Sequence, residues 1–237
     1  MSLITMIQDV CDNLGIPRPT TVIGNTDQQV IQLLAIANQE GKNLASRYAW
    51  SSLIRVNTFT MLLAELQGAI NSTVVTAGDF DYILNDTIWN RTLSEPIFGP
   101  AGPVERQTLA AFPVTGPYQK FWILAGNLYI NPAPTTADTG AFEYKSTFWC
   151  QSSGGTGQAK WAADTDTGKL SEDLMTLGIM WRWLQRKGLD YAEDFNIYES
   201  RVSDAMARDG GKPRLNLGAS PYDRIPGVIV PQGNWYQ

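Results

Sequence analysis

The sequence predicts an α+β fold. A four-helix unit is built from both chain ends, an antiparallel, sandwich-like β domain is inserted between its halves, and an extended arm closes the chain. Three observations carry this reading. Apolar residues recur at three- and four-residue steps near both ends, β-branched and alternating runs fill the middle, and no periodicity continues past Leu215. The boundaries that follow are residues 1–50 and 169–210 for the helical domain, 51–168 for the β insert and 211–237 for the arm.

In the first helix Leu3, Ile7, Val10 and Leu14 form one stripe, flanked by Met6 and Cys11. Gly15 closes it, and Pro17 and Pro19 impose an extended connection. Thr26 to Gln29 spells a capping box. Behind it Val30, Leu33, Leu34, Ala37, Gly41, Leu44 and Tyr48 hold helical spacing for over four turns. Gly41 costs a helix about 1 kcal/mol against Ala. A close approach by another backbone would offset that cost, and the small residues Ala35, Ala37, Gly41 and Ala45 fit such a contact, inside the chain or between subunits.

After Trp50 the pattern changes. Strands are expected over residues 51–60, 73–77 and 80–84, a short strand or an extended edge over 88–93, then a loop over 95–103 and a short helix over 104–112. Residues 121–124 and 128–130 read as a hairpin turning at Gly126-Asn127. Residues 141–148 alternate into a further strand, with Phe142, Tyr144 and Phe148 toward one face.

Residues 170–209 read as a helical hairpin. Ser171 is the expected N-cap, Glu172 and Asp173 suit the first turn, and Leu174, Leu177, Trp181 and Leu184 make a stripe. Arg182, Arg186 and Lys187 suit the carbonyl end, and Gly188 stands at the C-terminal position. The second helix carries Tyr191, Phe195, Tyr198, Val202 and Ala205 and stops before Gly210, Gly211 and Pro213. The hairpin is expected to cover its apolar stripe with the N-terminal helices. In the arm, Pro221, Pro226, Gly227, Pro231 and Gly233 keep the chain extended. Tyr222, Ile225, Val228, Ile229, Val230, Trp235 and Tyr236 make it too apolar for a free tail. The arm is therefore expected to dock, on its own domain or on a neighbouring subunit.

Composition narrows the function. The chain has 237 residues, 43% hydrophobic and 17% charged, and a net charge of −5. That balance argues against binding nucleic acid through phosphate neutralisation. The middle is the acidic part: residues 51–168 hold six Lys/Arg against ten Asp/Glu, whereas residues 169–214 hold eight of each. Cys11 and Cys150 are the only cysteines and sit among apolar residues, which fits buried free thiols in a reducing cytosol. No early apolar run suits a signal peptide, and none is long enough to span a membrane.

Histidine is absent, which removes the commonest general base and metal ligand. Asp164-Thr-Asp-Thr-Gly168 resembles the start of a calcium loop, but it lacks the third acid and the closing glutamate, so a solvated turn is expected. Gly154-Gly-Thr-Gly157 is not followed by the Gly-Lys-Ser/Thr of a phosphate loop. Asp79 and Asp81 flank Phe80 and read as solvated charges on one side of a strand rather than a catalytic pair. No metal, cofactor or enzymatic activity is expected.

A family resemblance adds to this. The segment Leu34-Ala-Ile-Ala-Asn-Gln-Glu-Gly-Lys-Asn-Leu-Ala-Ser-Arg-Tyr-Ala-Trp50 resembles the opening helix of head–tail adaptor (connector, or tail tubular) proteins of short-tailed bacteriophages. So do Asp86-Thr-Ile-Trp-Asn-Arg91, Pro96-Ile-Phe-Gly-Pro100, the strand pair of residues 121–132, Phe142-Glu-Tyr-Lys-Ser146 and Leu177-Gly-Ile-Met-Trp-Arg-Trp183. The pieces run in order over residues 3–210 and leave the arm uncovered.

The resemblance implies a virion protein of the neck, assembled in the host cytoplasm and working without catalysis. Such adaptors form a ring beneath the portal protein, typically of twelve copies, and carry the tail tube or nozzle. DNA passes through the channel during ejection without specific binding. Portal and subunit contacts are then expected at Gly41, Trp181, Arg182 and Arg186. In the arm they are expected at Tyr222, Ile225, Val228, Ile229, Trp235 and Tyr236. The alternative is a glycan-binding β module of a virion receptor-binding component, which eight Trp and nine Tyr permit. A carboxylate hydrolase using Asp79, Asp81, Asp164 or Asp166 is the third reading.

Overall fold

Among the described residues the two helical pairs meet at one helix, the first of the later pair. The computed structural model describes residues 2–112 and 118–210, so the expectations for the arm fall outside the described residues. Helix α1 (Leu3–Leu14) is capped by the Ser2 hydroxyl, ends at Gly15 in the left-handed region (φ 67°) and buries Leu3, Met6, Ile7, Val10 and Cys11. Helix α2 (Gln28–Arg47) starts one residue later than the expected box. Asp27, not Thr26, is the N-cap, and its carboxylate accepts the Gln29 amide at 2.8 Å. A carboxylate is the stronger acceptor for a helix-end amide, and Asn25 Oδ1 accepts the Asp27 amide at 2.8 Å to hold it there.

The hairpin forms as read. Helix α4 (Glu172–Lys187) ends at Gly188 (φ 71°), and α5 (Ala192–Arg208) runs back along it. Ser171 occupies the N-cap position of α4 without a side-chain bond to the helix. Helix α4 packs against α1, α2 and α5. Its buried face is therefore wider than the single expected stripe, taking in Met175, Gly178, Ile179, Arg182 and Trp183 beside Leu174 and Trp181. Leu177 and Leu184 are only half-buried. These helices share one apolar core with Trp50, Leu53, Trp149, Cys150 and Trp161.

The middle of the chain is antiparallel. A short 3-10 turn (Ser51–Leu53) leads into β1 (Ile54–Thr60), which pairs with β8 (Thr139–Ser146) from Ile54↔Lys145 to Thr60↔Thr139. Strand β8 also takes β3 (Phe80–Ile83) and β4 (Trp89–Asn90), and β4 takes β5 (Glu95–Pro96). A second sheet orders β2 (Leu66–Ala69), β7 (Asn127–Asn131) and β6 (Lys120–Leu124). Phe142 and Tyr144 of the first sheet and Phe121, Leu128 and Ile130 of the second belong to one separate core. A third set, β10 (Gly157–Gln158), β9 (Cys150–Gln151) and β11 (Thr167–Gly168), leads back to the helices. Helix α3 (Pro103–Ala111) stands in the connection between β5 and β6.

Four local expectations fail. Residues 73–77 are not a strand: the chain makes a single π turn (Ile70–Val74), with the Val75 amide on the Ile70 carbonyl at 2.8 Å. Asn57 Nδ2 of β1 donates to the Val74 carbonyl at 3.0 Å, so a side chain answers this backbone where a ladder was expected, and Asn71 Oδ1 of the turn accepts the Phe80 amide at 2.9 Å. The β6–β7 turn sits one residue earlier than read. Ala125 and Gly126 occupy positive φ (49° and 77°) and Asn127 already pairs with Leu124. The loop expected over 95–103 contributes β5, and the strand expected over 88–93 shortens to Trp89–Asn90.

Gly41 has a specific neighbour. The fully buried Trp149 lies on it so closely that a Cβ there would overlap the six-membered ring. Trp149 also meets Trp161 edge-on, with centroids 5.2 Å apart, and donates its indole N–H to the Ala159 carbonyl at 3.0 Å. The close approach is thus made by a ring from the β9 end, not by another backbone. Gly41→Ala gains about 1 kcal/mol of helix propensity but forces an overpacked core that costs about 1–3 kcal/mol. A net loss of stability is expected by chemical denaturation, and Trp149→Leu in the same chain should remove most of the Gly41→Ala penalty.

Candidate functional site

Four carboxylate clusters are where chemistry would be sought, and each is engaged in holding the fold. Glu40 of α2 is fully buried. Arg182 Nε of α4 donates to its Oε2 at 2.5 Å, and the Tyr198 hydroxyl of α5 donates to its Oε1. Burial, then that carboxylate, pushes the Tyr198 hydroxyl pKa well above its ordinary value. Gly178 leaves the room, since a Cβ there would overlap the Glu40 carboxylate. Beside this cluster Arg47 makes a two-pronged bond to Glu199 at 2.9 and 2.7 Å and lies over the Tyr198 ring.

Asp79 is not a solvated strand charge; it is fully buried. It accepts the Tyr144 hydroxyl at 2.8 Å and the Ser146 hydroxyl at 2.6 Å, and pairs with Arg55 at 3.2 Å. Burial first, and then Asp79, pushes the Tyr144 pKa up to about 12. Asp81 is the exposed one, 3.4 Å from the Nζ of buried Lys145. The two acids therefore do not form a pair, because a register shift between Phe80 and Tyr82 separates their surroundings.

The Asp164–Gly168 turn is also not simply solvated. Asp164 accepts the Val22 and Ile23 amides at 2.7–3.1 Å, and buried Asp166 accepts the Ala162 and Ala163 amides at 2.8 Å. The turn thereby fastens the connection between α1 and α2. Asp138 is buried on Asn90 at 2.8 Å and Thr136 at 2.7 Å. Among the described residues no group of three or more His, Cys, Asp or Glu could hold a metal ion. No helix among them is long and apolar enough to cross a membrane.

The surface also carries large apolar side chains. Leu62 and Leu63, in the connection from β1 to β2, are 50% and 64% exposed. On α3 Val104 is 81% exposed, Phe112 follows the helix at 69%, and α3 buries no residue. These surfaces escaped the sequence reading because isolated apolar residues in short elements carry no period. Six of the eight tryptophans, at 50, 122, 149, 161, 181 and 183, are buried.

The residues expected at interfaces divide. Gly41 is covered by Trp149. Trp181 is 6% exposed and packs on Phe195 and Tyr198, and Arg182 is tied to Glu40. Arg186 is exposed and bonded to Gln39 of α2. Tyr222, Ile225, Val228, Ile229, Trp235 and Tyr236 lie outside the described residues.

Two changes test the Glu40 cluster. Glu40→Gln leaves the Arg182 guanidinium buried beside a neutral amide and should cost about 3–5 kcal/mol. Tyr198→Phe leaves one carboxylate oxygen short of a donor and should cost about 1–3 kcal/mol. Denaturant unfolding reads both. Cys11 and Cys150 are buried free thiols, and burial, then Asp166, pushes Cys150 up to about 12. Both should resist a thiol reagent at pH 8 and react in full once the chain is unfolded in urea. No family model matches the chain, and no curated protein matches it.

Proposed function

We propose that the chain is a structural virion protein, a ring adaptor that joins the portal vertex of a phage head to the tail tube or nozzle and extends the DNA channel. One observation carries the reading. Helices α1 and α2 from one chain end share a core with α4 and α5 from the other, while the antiparallel β stretch leaves after Leu53 and returns at Gly168. This supports a four-helix unit with an inserted, sandwich-like β domain. It also follows the order in which the sequence resembles head–tail adaptors of short-tailed phages.

The chemistry agrees with an architectural role. The buried acids are saturated by hydroxyls, amides and guanidinium groups that hold helices and strands together. Rings arise from head-to-tail contacts that close. The exposed Leu62, Leu63, Val104 and Phe112 offer apolar contact on the β side, which in this reading faces outward or toward the tail. The helical side takes the portal, with the arm as a further contact to a neighbour, the portal or the nozzle. A net charge of −5 suits a channel wall that repels phosphate rather than gripping it. A lumen lined with Lys and Arg would remove that argument. The glycan-binding alternative needs exposed indoles, and six of the eight are buried.

The test is particle mass, measured for the purified protein alone and after mixing with the portal ring encoded beside it. A portal species that gains an integral set of subunits, typically twelve, is the expected result. Deletion of residues 211–237 should then weaken the complex while leaving the fold intact. A portal that gains no mass overturns the reading.

A further inference from the structure

Two apolar patches stand by opposite edge strands of one sheet. In the sheet ordered β2, β7, β6, the outer side of β6 is taken by residues 98–101. The Phe121 amide donates to the Phe98 carbonyl at 2.9 Å, and the Ala101 amide to the Phe121 carbonyl at 2.8 Å. That segment leads directly into α3, and Glu105 of α3 pairs with Lys120 of β6. Leu62 and Leu63 lie by the other edge strand, where the chain enters β2. They are held there. The buried Gln67 of β2 accepts the Leu62 amide at 2.7 Å and donates to the Leu62 and Ala64 carbonyls at 3.1 and 2.5 Å. Leu66 of β2 is exposed as well and extends this patch.

Helix α3 is turned inside out. Its charged residues, Glu105 and Arg106, are half-buried, whereas Val104, Thr108, Ala111 and Phe112 are exposed. These four stand at i, i+4, i+7 and i+8, the spacing of one helical face. The Thr108 hydroxyl donates to the Val104 carbonyl at 3.0 Å, so it turns inward on the helix rather than out from it. A helix that answers only to its own chain keeps its apolar face inward and its charges outward. The reverse arrangement marks a surface made for contact. Each patch is also edged by one charge. Glu65 is exposed beside the leucines, and Arg106 stands beside the α3 face. Neither forms an ion pair among the described residues.

We propose that the α3 face of one copy docks on the Leu62, Leu63 and Leu66 patch of the next, with Arg106 answering Glu65 across the contact. This names the subunit contact of the ring proposed above and rests on that reading. Charge chooses the pairing. Two leucine patches face to face would set Glu65 against Glu65, and two α3 faces would set Arg106 against Arg106. The unlike pair joins opposite charges and buries apolar surface on both sides. Within one chain the patches do not meet, because β7 separates their edge strands by two strand spacings, roughly 10 Å. A contact between unlike patches runs head to tail, and such contacts repeat from copy to copy until they close.

The test uses two variants of the full chain. Leu62→Glu with Leu63→Glu disables one patch, and Val104→Glu with Phe112→Glu disables the other. All four positions are exposed, so the fold should persist, which circular dichroism and urea unfolding check. Sedimentation reads association in solution up to the solubility limit, and particle mass reads it on the portal ring encoded beside the protein. Each variant alone should associate about a hundredfold more weakly than the unaltered chain, as loss of a central apolar anchor demands. Mixed in equal amounts, the two should form pairs and stop there, because each pair uses the one intact patch of either kind. Glu65→Arg should weaken association about tenfold, and Arg106→Glu in the same chain should restore it. A variant that associates as the unaltered chain does overturns the proposal. Where the unaltered chain associates in solution, a mixture that forms no pairs overturns it too. A portal that fills equally with the unaltered chain and both variants overturns this contact and leaves the adaptor reading standing. A portal that takes up no chain overturns the adaptor reading. Association in solution then decides the contact, and an unaltered chain that stays monomeric there overturns it.

Discussion

The helical half depends on how a buried negative charge is answered. Glu40 has no contact with water, so its carboxylate is tolerable only where donors converge on it. Arg182 and Tyr198 supply them from two other helices, and Gly178 supplies the space. Sliding α2 by one residue along α4 would part all of these at once. An apolar contact has no such sharp penalty, which is why a buried polar group can fix register where packing alone would leave it looser. The outer pair of Arg47 and Glu199, with Arg47 over the Tyr198 ring, joins α2 to α5 a second time from the partly exposed side.

The β half rests on an analogous device. Strand β8 meets β1, β3 and β4, and its Tyr144 and Ser146 deliver two hydroxyls to Asp79. Arg55, just inside β1, completes the arrangement, so the carboxylate joins the strand that leaves the helical core to the strand that leads back. Trp149 follows β8 by three residues and lands on Gly41 of α2. One short stretch of chain thus secures the sheet with two hydroxyls and the helices with a ring. Lys169, at the same seam, has a buried ammonium without a hydrogen-bond partner among the described residues, and burial, then Arg55, lowers its pKa.

What could be read in the sequence was what repeats. The helices were legible because Leu3, Ile7 and Val10 or Leu174 and Trp181 recur on a period that only a helix satisfies, and because Gly15 and Gly188 mark stops with a specific backbone need. Val74 and Val75 misled, since a short apolar run looks the same whether a neighbouring strand or an asparagine side chain answers its backbone. Glu40 and Asp79 were illegible as buried charges. Nothing local tells a buried acid from a solvated one when its partners stand 142 and 65 residues away.

The separation of the two helical pairs has a consequence for biosynthesis. Helix α2 ends at Arg47 and α4 begins at Glu172. At about 5–20 residues per second the ribosome needs on the order of ten seconds to span that gap. Throughout it the apolar faces of α1 and α2 lack the α4 and α5 surfaces that complete their core. Strand β8 is finished before α4 is begun, so the β stretch can close while the chain is still being made. A chain that folds as it emerges can thus complete its β pairing before α4 and α5 are present to finish the helical core.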